Sequence, residues 1–306
     1  MDLTGRVAVV TGSGRGLGLA YAEALAAAGA AVVVNDVDGD AAERAVRRIG
    51  ERGGSAVAEV VAVGSAAAAD RLVDRAVSAF GRLDVMVTNA GILRDRVLWK
   101  MTDEDFDAVV EVHLRGTFTC ARAAAVQMRA QGTGGRLILA ASPAGQRGNF
   151  GQTNYAAAKA GIAAMARTWA LELAKAGITA NAIVPVAATD MTRTIPAFAA
   201  HVEALEERGE PLPGWLRHDE GFGTAQDVAG LVVFLASAAA AEVTGQAIGI
   251  GGDKLALWAH PHERVAAYAE GGWTADAIAA AWPTGIGATP ETYGIALPTV
   301  PAGAGS

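Results

Sequence analysis

The sequence predicts a doubly wound α/β fold, in which seven parallel strands form one sheet with helices on both faces. Short runs rich in β-branched residues alternate with longer alanine-rich segments that have the helical period. A glycine-rich turn joins the first of these runs to the first of these segments. The composition, 52% hydrophobic and 19% charged over 306 residues, is typical of a globular protein with a large core.

Each element of this fold is predicted from the local pattern. Strands are expected near residues 6–11, 31–35, 56–62, 83–88, 135–141, 178–184 and 246–250. Helices are expected between them, near residues 16–29, 40–52, 66–80, 103–130, 154–176 and 224–237. Thr102 with Asp105 is typical of the capping box that begins a helix. Two stretches interrupt the alternation, namely residues 190–222 with their three prolines and the tail after residue 252.

Charge and cysteine content exclude several classes of protein. A formal net charge of −7 leaves no basic surface for nucleic acid or an anionic membrane, so we expect a small-molecule substrate. Cys120 is the single cysteine of the sequence and is expected to be buried; no paired-cysteine metal site can form, and we expect no metal. The apolar runs are shorter than the roughly 20 residues that a membrane span needs, so no span is predicted. The early acid, Asp2, does not fit a signal peptide. We therefore expect a cytoplasmic protein.

The turn after the first strand has the spacing of a dinucleotide-binding site. Gly12, Gly16 and Gly18 let the backbone approach a pyrophosphate, whose charge is stabilised at the positive end of the next helix. Asp36 ends the second strand about 20 residues later, where an acid accepts hydrogen bonds from a ribose hydroxyl. Because Asp36 repels a 2′-phosphate, the sequence favours NAD over NADP, while Arg15 inside the turn favours the phosphate.

A second cluster of residues has the chemistry of an acid–base site. Tyr155 and Lys159 are four residues apart, which places them on one face of a helix. A fixed cation near a phenol stabilises the phenolate and lowers its pKa. Ser142 follows the fifth strand, where its hydroxyl can hold a carbonyl or alcohol oxygen beside the tyrosine.

These motifs, together with Asn89-Ala90-Gly91 after the fourth strand, resemble those of the short-chain dehydrogenase/reductase family over residues 4–252. The resemblance implies a Rossmann-type cofactor-binding and catalytic domain over residues 1–252, followed by a C-terminal extension over residues 253–306. The cofactor-binding residues that it implies are Gly12, Ser13, Arg15, Gly16, Leu17, Gly18, Asp36, Asn89, Ala90, Gly91, Tyr155, Lys159, Pro185 and Thr189.

The resemblance also implies roles at the catalytic end. Ser142, Tyr155 and Lys159 are implied as the catalytic set, with Lys159 also binding the nicotinamide ribose. The family usually has an asparagine on the preceding helix, whose main-chain carbonyl helps to hold a water that relays protons to the lysine. His113 stands at that point here. We expect His113 either to preserve the relay through its main chain, to add a proton path of its own, or to be a packed structural histidine.

Longer stretches narrow the resemblance. Val112–Phe118 and Gly148–Tyr155 are similar to the dehydrogenase unit of the peroxisomal multifunctional enzyme type 2 and to related actinobacterial 17β-hydroxysteroid dehydrogenases. This implies NAD-dependent oxidation of a (3R)-hydroxyacyl-CoA to a 3-ketoacyl-CoA, with a hydroxysteroid or another secondary alcohol as the alternative substrate. It also implies a homotetramer, whose shared faces we expect on the helices near 103–130 and 154–176.

The substrate site is predicted from position in the chain. Residues that follow the fourth and fifth strands border the nicotinamide in this topology, and residues 190–222 are a candidate substrate lid. An apolar slot is expected from Leu93, Trp99, Ala144, Phe150 and Met191. A protein of another class, a non-catalytic NAD sensor on the same fold, is the alternative, although the intact catalytic set argues against it.

Overall fold

Eight strands form one sheet in the part of the chain that this computed structural model describes, residues 1–188 and 196–295. They are β1 (Val7–Val10), β2 (Ala31–Asp36), β3 (Ser55–Val60), β4 (Val85–Thr88), β5 (Gly135–Ala140), β6 (Ile178–Pro185), β7 (Ala247–Gly251) and β8 (Lys254–Leu257). Their order across the sheet is β3-β2-β1-β4-β5-β6-β7-β8. The first seven strands pair in parallel, which confirms the predicted fold. The prediction missed β8, which pairs antiparallel with β7 inside the expected C-terminal extension.

The six predicted helices are present, one of them interrupted. The helices of the structure are α1 (Gly16–Ala27), α2 (Gly39–Glu51), α3 (Ala66–Phe80), α4 (Asp103–Val110), α5 (Gly116–Gln131), α6 (Pro143–Arg147), α7 (Thr153–Glu172), α8 (Pro196–Arg208), α9 (Gly214–His218), α10 (Ala225–Ala236) and α11 (Ala275–Ala281). The prediction missed α6, α8, α9 and α11. The predicted single helix over residues 103–130 is wrong in one respect, because a π-helical turn at Glu111–Arg115 separates α4 from α5. Thr102 caps α4 as expected, its hydroxyl accepting from the N–H of Asp105.

Side chains of the strands alternate between two buried layers. In β1, Val7 and Val9 face the layer that contains α3, α5 and α7, whereas Ala8 and Val10 face the layer that contains α1 and α10. Cys120 of α5 is buried in the first layer, where burial raises the pKa of its thiol to about 12. The cysteine therefore behaves as the small apolar residue that the sequence predicts.

The sheet order reverses between β1 and β4, and this is where a doubly wound fold binds its ligand. Strand β1 pairs with β2 on one side and with β4 on the other, both in parallel. The segments that follow β1 and β4, residues 11–16 and 89–91, therefore meet at one edge of the sheet. The helical connections lie on opposite faces of the sheet here, which leaves a crevice between these two segments.

The segment that interrupts the alternation has a small core of its own. Helices α8 and α9 pack around Val202, Leu212, Leu216 and Phe222, separately from the two main layers. Two predicted site residues of this region, Thr189 and Met191, lie outside the described residues. Among the helices that the structure describes, none is long and apolar enough to cross a membrane.

Candidate active site

A cavity of about 330 Å³ opens at the point where the sheet order reverses. This volume is in the range of cofactor and small-molecule sites. Its lining comes from the last residues of β2, β5 and β6, from the segments that follow β1, β2, β3 and β4, from the start of α1, from the π-helical turn and from α7. The lining residues are Gly12, Arg15, Gly16, Leu17, Gly18, Asn35, Asp36, Val37, Val61, Ala62, Val63, Asn89, Ala90, Gly91, Ile92, Val112, His113, Ala140, Tyr155, Lys159 and Pro185.

The glycine turn is shaped for close approach of a ligand to the backbone. Gly12 has a φ of 61°, and a Cβ there would lie 2.8 Å from the Cα of Ala90. A Cβ on Gly18 would lie 2.6 Å from Nδ2 of Asn89. The turn leads into α1, whose first backbone N–H groups have no partner within the helix and attract an anion. The turn therefore fits the pyrophosphate of a dinucleotide.

Asn89 and Thr11 join the two turns that form the floor of the cavity. Nδ2 of Asn89 donates to the carbonyl oxygens of Thr11 and Gly12, each at 3.1 Å. Oγ1 of Thr11 accepts in return from the N–H groups of Asn89 and Ala90, at 2.9 and 3.1 Å. The Asn89-Ala90-Gly91 motif thus holds the glycine turn in place in addition to lining the cavity.

Asp36 and Arg15 both line the cavity at the end next to the glycine turn. The carboxylate of Asp36 accepts from the N–H of Gly14 at 3.0 Å and from that of Asp38 at 3.1 Å, so its orientation is fixed. Arg15 is exposed, and within the described residues its guanidinium forms no hydrogen bond or ion pair. A ribose at this end would meet a fixed negative charge and a free positive one.

Ser13 differs from its neighbours in the turn, because its side chain points into the sheet. It is completely buried, and its hydroxyl donates to the carbonyl of Val10 at 2.7 Å and accepts from the N–H of Asn35 at 3.1 Å. Ser13 therefore does not line the cavity and instead connects the ends of β1 and β2.

Tyr155 and Lys159 occupy one face of α7, one turn apart, at the other end of the cavity. Nζ of Lys159 lies 5.5 Å from the centre of the Tyr155 ring and donates to the carbonyl of Ala140 at 2.5 Å. Burial lowers the pKa of the Lys159 ammonium to about 7. Burial also raises the pKa of Tyr155, and a hydrogen bond with Ser142 lowers it in part. Without a bound ligand, both shifts favour the neutral forms, namely the protonated phenol of Tyr155 and the uncharged amine of Lys159.

Ser142 reaches Tyr155 because α6 packs tightly against α7. Ser142 is the N-cap of α6, and its Oγ accepts from the N–H of Ala144 at 3.2 Å. A Cβ on Gly145 would lie 2.6 Å from the backbone nitrogen of Ala160, so only glycine permits this contact between the helices. The sequence places Ser142 after a strand, whereas its distance from Tyr155 depends on this glycine.

His113 enters the site from the π-helical turn. The N–H of Gly116 bonds to the carbonyl of Glu111, five residues earlier, which is the π-type bond that turns His113 inward. His113 is 2% exposed, and its ring meets the Tyr155 ring edge-on, with the centres 5.1 Å apart. Nε2 lies 3.0 Å from the nitrogen and 2.8 Å from the oxygen of Ile92.

The surroundings of His113 keep its imidazole neutral. Burial first, and then the nearby charge of Lys159, lower the pKa of His113 to about 3. Nδ1 is buried without a hydrogen-bond partner in the described part of the chain. A Cβ on Gly91 would collide with Cε1 of the ring, so the ring also fixes the segment after β4. Of the three expectations for His113, these observations favour the packed residue and disfavour a ring that titrates near neutral pH.

The residues predicted to bind substrate are not gathered around this cavity. Trp99 and Phe150 are 77% and 85% exposed, Leu93 is half-buried and Ala144 is buried. None of these four lines the cavity. Lining residues that the sequence reasoning missed include Ala62 and Val63 after β3 and Ile92 after β4. Their position just after a strand was the available signal.

The described residues contain no group of three or more His, Cys, Asp or Glu side chains that could hold a metal ion.

Comparison with known proteins identifies relatives along most of the chain. The family model of short chain dehydrogenases matches residues 6–199. Hydroxyacyl-CoA dehydrogenase ChsB1 of Mycobacterium tuberculosis is 44% identical over 274 residues, which cover 85% of this chain and 82% of that protein. The peroxisomal multifunctional enzyme type 2 of Mus musculus is 46% identical over 225 residues, covering 70% of this chain and 30% of that enzyme. The similarity to this enzyme, which the motifs predict, is confirmed.

Two further comparisons extend over nearly the whole of the matched protein. A 3-oxoacyl-(acyl-carrier-protein) reductase of Synechocystis sp. is 42% identical over 253 residues, covering 82% of this chain and 97% of the reductase. The crystal structure of a short chain dehydrogenase from Mycobacterium avium matches with a TM-score of 0.81 and 35% identity. That match covers 96% of this chain and 99% of the solved one, so the architecture after residue 199 is shared as well.

Proposed function

Because the chain belongs to the short-chain dehydrogenase family, we propose that it oxidises a (3R)-hydroxyacyl-CoA to the 3-ketoacyl-CoA with NAD, and catalyses the reverse reduction. The observation that carries the proposal is the arrangement of Ser142, Tyr155 and Lys159 at one end of a cavity whose other end holds Asp36. An oxidoreductase of this family needs both ends, one for the alcohol and one for the nucleotide. The residues at both ends are intact.

The cavity fits a nicotinamide dinucleotide by the shape of its backbone. The positions of Gly12 and Gly18 have no room for a Cβ, and α1 presents its N-terminus beside them. In this proposal the glycine turn holds the pyrophosphate, Asp36 accepts from the adenosine ribose, and Lys159 holds the second ribose. NAD, when bound, supplies the acceptor for the hydride.

The protein residues handle the proton and the orientation of the substrate oxygen. In the oxidation direction, Tyr155 as phenolate removes the proton of the substrate hydroxyl. Ser142, whose hydroxyl lies close enough to Tyr155 to lower the pKa of its phenol, holds the substrate oxygen beside the phenol. Lys159 in its charged form stabilises the phenolate, since its Nζ lies 5.5 Å from the centre of the tyrosine ring.

The charges at the ribose end support NAD over NADP. The carboxylate of Asp36 is fixed by two backbone N–H groups and cannot turn away from a 2′-phosphate. Arg15 is exposed and has a flexible side chain, so it opposes this repulsion only from the solvent side. We expect kcat/KM with NAD to exceed that with NADP by about tenfold or more.

The names of the relatives support a 3-hydroxyacyl thioester as the substrate. The M. tuberculosis relative is named a hydroxyacyl-CoA dehydrogenase, and the Synechocystis relative a 3-oxoacyl-(acyl-carrier-protein) reductase. Both names describe the same carbon chemistry on a thioester, with different carriers. Reduction of a 3-oxoacyl group on a carrier protein is therefore the second candidate, favoured by the 97% coverage of that reductase.

The test measures NADH formation with (3R)-hydroxybutyryl-CoA, its (3S) enantiomer, a 17β-hydroxysteroid and a simple secondary alcohol, with NAD and NADP in parallel. We expect the (3R)-thioester to give the highest kcat/KM, by about tenfold or more over the enantiomer. Faster reduction of acetoacetyl carrier protein with NADPH than of acetoacetyl-CoA with NADH would favour the second candidate. Turnover of the steroid alone, or NAD binding without any turnover, as in a sensor, would contradict the proposal.

The lid and the C-terminal extension are part of the proposed substrate end. Arg217 of α9 bonds to Asp227 at the start of α10 and to Asp253 just before β8. These ion pairs hold one end of the segment over residues 196–222, whose small core is separate from the main layers. We propose that this segment closes over the acyl chain, as expected of residues 190–222, of which 190–195 lie outside the described residues. Protection of this segment from proteolysis by NAD plus acetoacetyl-CoA, but not by NAD alone, would support a lid.

The expected homotetramer stays a proposal, as does the cytoplasmic location. Phe118 and Val126 of α5 and Leu171 of α7 are exposed apolar side chains on the two helices that the resemblance implies as shared faces. Light scattering should give a tetramer, and the pair Val126→Asp and Leu171→Asp should lower the mass. A monomeric wild-type chain would contradict the proposal.

A further inference from the structure

Asn154, the residue before Tyr155, is buried and uses all the hydrogen-bonding capacity of its amide N–H₂ group. Its side chain has no exposed surface. Nδ2 donates to the carbonyl of Arg94 at 3.1 Å and to that of Asp105 at 3.0 Å. Oδ1 accepts from the N–H of Tyr155 at 2.8 Å. One amide thus connects three elements, namely the segment after β4, helix α4 and the start of α7.

The bond to Tyr155 replaces one that the helix cannot supply. Tyr155 is the third residue of α7, and the first N–H groups of a helix have no partner within it. The N-cap position, Gln152, makes no side-chain cap bond. Asn154 therefore provides the local support that fixes the backbone of Tyr155, from which the phenol extends into the cavity.

The same segments meet again on the exposed rim. The N–H of Arg96 donates to the carbonyl of Gly151 at 2.8 Å, and Nε2 of Gln152 donates to Oδ2 of Asp95 at 2.9 Å. The segment that begins at the cofactor side with Gly91 is thereby joined to the turn before α7. The rim contacts are solvated, so the buried amide of Asn154 is the strongest of these connections.

We propose that Asn154 is a positioning residue that aligns the phenol of Tyr155 with the segment after β4, an inference that rests on the proposed function. It touches neither cofactor nor substrate and acts through the backbone of Tyr155. No other side chain of similar size offers two donors and one acceptor in this geometry. With aspartate in this place, ionised or protonated, at least one of the two carbonyls loses its donor.

The test compares Asn154→Asp with the matched control Asn149→Asp. Asn149 is exposed, and among the described residues its side-chain amide bonds only to the side chain of Gln152 on the rim. We expect Asn154→Asp to lower kcat for (3R)-hydroxybutyryl-CoA by about 10- to 100-fold, with the KM for NAD unchanged. Asn149→Asp should retain nearly the full kcat. Asn154→Ser, which keeps an acceptor and one donor, should lie between the two and covers the case in which the aspartate variant does not fold.

A double-mutant cycle with Tyr155→Phe separates positioning from a merely structural role. If Asn154 acts through the phenol, Asn154→Asp causes no further loss of kcat once the phenol is removed. A fully additive loss, or a kcat equal to that of the wild type in folded Asn154→Asp, would overturn the inference.

A readout that does not need turnover distinguishes failure of this inference from failure of the proposed function. The phenolate absorbance of Tyr155 is obtained by subtracting the titration of Tyr155→Phe, over the pH range in which circular dichroism shows the fold intact. We expect Asn154→Asp to raise the pKa of Tyr155, because the phenol moves away from Ser142, which lowers that pKa, or because a negative charge is added next to it. An unchanged pKa would overturn the inference even if the wild type oxidised no alcohol at all.

Discussion

Replacement of Lys159 by methionine should abolish activity and yet stabilise the protein at neutral pH. Burial lowers the pKa of this ammonium from its ordinary 10.5 to about 7. In the unfolded chain the group binds its proton up to pH 10.5, so below that pH folding must either bury the charge or release the proton. The folded protein binds fewer protons than the unfolded chain between these two values, so stability rises with pH across this window.

The magnitude follows from linkage, in which one pKa unit corresponds to about 1.4 kcal/mol. With folded and unfolded values of about 7 and 10.5, the cost of burying Lys159 is about 4 kcal/mol at pH 7 and about 2 kcal/mol at pH 9. Methionine removes this cost but leaves the carbonyl of Ala140 without its donor, a loss of about 1–3 kcal/mol. The variant should therefore be more stable by about 1–3 kcal/mol at pH 7 and about equal to the wild type at pH 9.

The assay is urea unfolding, without NAD, of the wild type, Lys159→Met and the control Lys175→Met at pH 7 and pH 9. Lys175 is exposed, so its replacement should leave the pH dependence unchanged. The range from pH 7 to pH 9 lies above both pKa values of His113, about 3 in the folded protein and 6.5 as its ordinary value. The other titratable groups are present in all three proteins, so their effects cancel in the comparison. A difference between wild type and Lys159→Met that stays constant from pH 7 to pH 9 would refute the reasoning.

Four further predictions concern the ends of the site. Tyr155→Phe should lower kcat by about 10²- to 10⁴-fold with the Kd for NAD, measured by calorimetry, unchanged; retained turnover would contradict the acid–base role. Asp36→Ser should lower kcat/KM with NAD and raise it with NADP, and an unchanged ratio would contradict the assigned repulsion. Gly18→Ala should weaken NAD binding, because its Cβ would lie 2.6 Å from Nδ2 of Asn89; calorimetry with folded protein tests this. His113→Asn should keep kcat within about tenfold, since the neutral ring donates no proton from a charged state, and a loss as large as that of Tyr155→Phe would give His113 a direct role.

The end of the cavity formed by the glycine turn was predictable because its signals are local in the chain. Glycines at fixed spacing between a strand and a helix, with Asp36 at the end of the next strand, imply one geometry. The structure places Gly12, Gly18 and Asp36 around the cavity. Ser13 was not predictable in this way, because its hydroxyl bonds to Val10 and Asn35 across the pairing of two strands.

The π-helical turn was hidden from the sequence because the apolar pattern continues through it. Residues 103–130 have the period of one long helix, and a single π-type bond at Gly116 changes the period only locally. The inward position of His113 depends on that bond. Likewise, β8 has only four residues and follows a tight turn, so its pairing with β7 depends on the exposed edge of the sheet more than on its own sequence.

The substrate end was the least predictable, since apolar residues in loops do not indicate which way they face. Trp99 and Phe150 lie in segments with the expected location, yet both are exposed. Their direction is decided by backbone bonds between distant segments, such as that from Arg96 to Gly151. Patterns of period two or 3.6 carry no information about such bonds.

The site combines groups that lower stability with groups that hold them in place. Lys159 is buried at a cost in free energy, and Nδ1 of His113 is buried without a partner in the residues described. Asn154 and the close packing at Gly145 stabilise the helix that carries the phenol. Lys159→Met should therefore raise the free energy of unfolding and Asn154→Asp should lower it, while both lower kcat. Opposite effects on stability with the same effect on rate cannot arise from partial unfolding, so the two variants together test whether the rate depends on the geometry of the site itself.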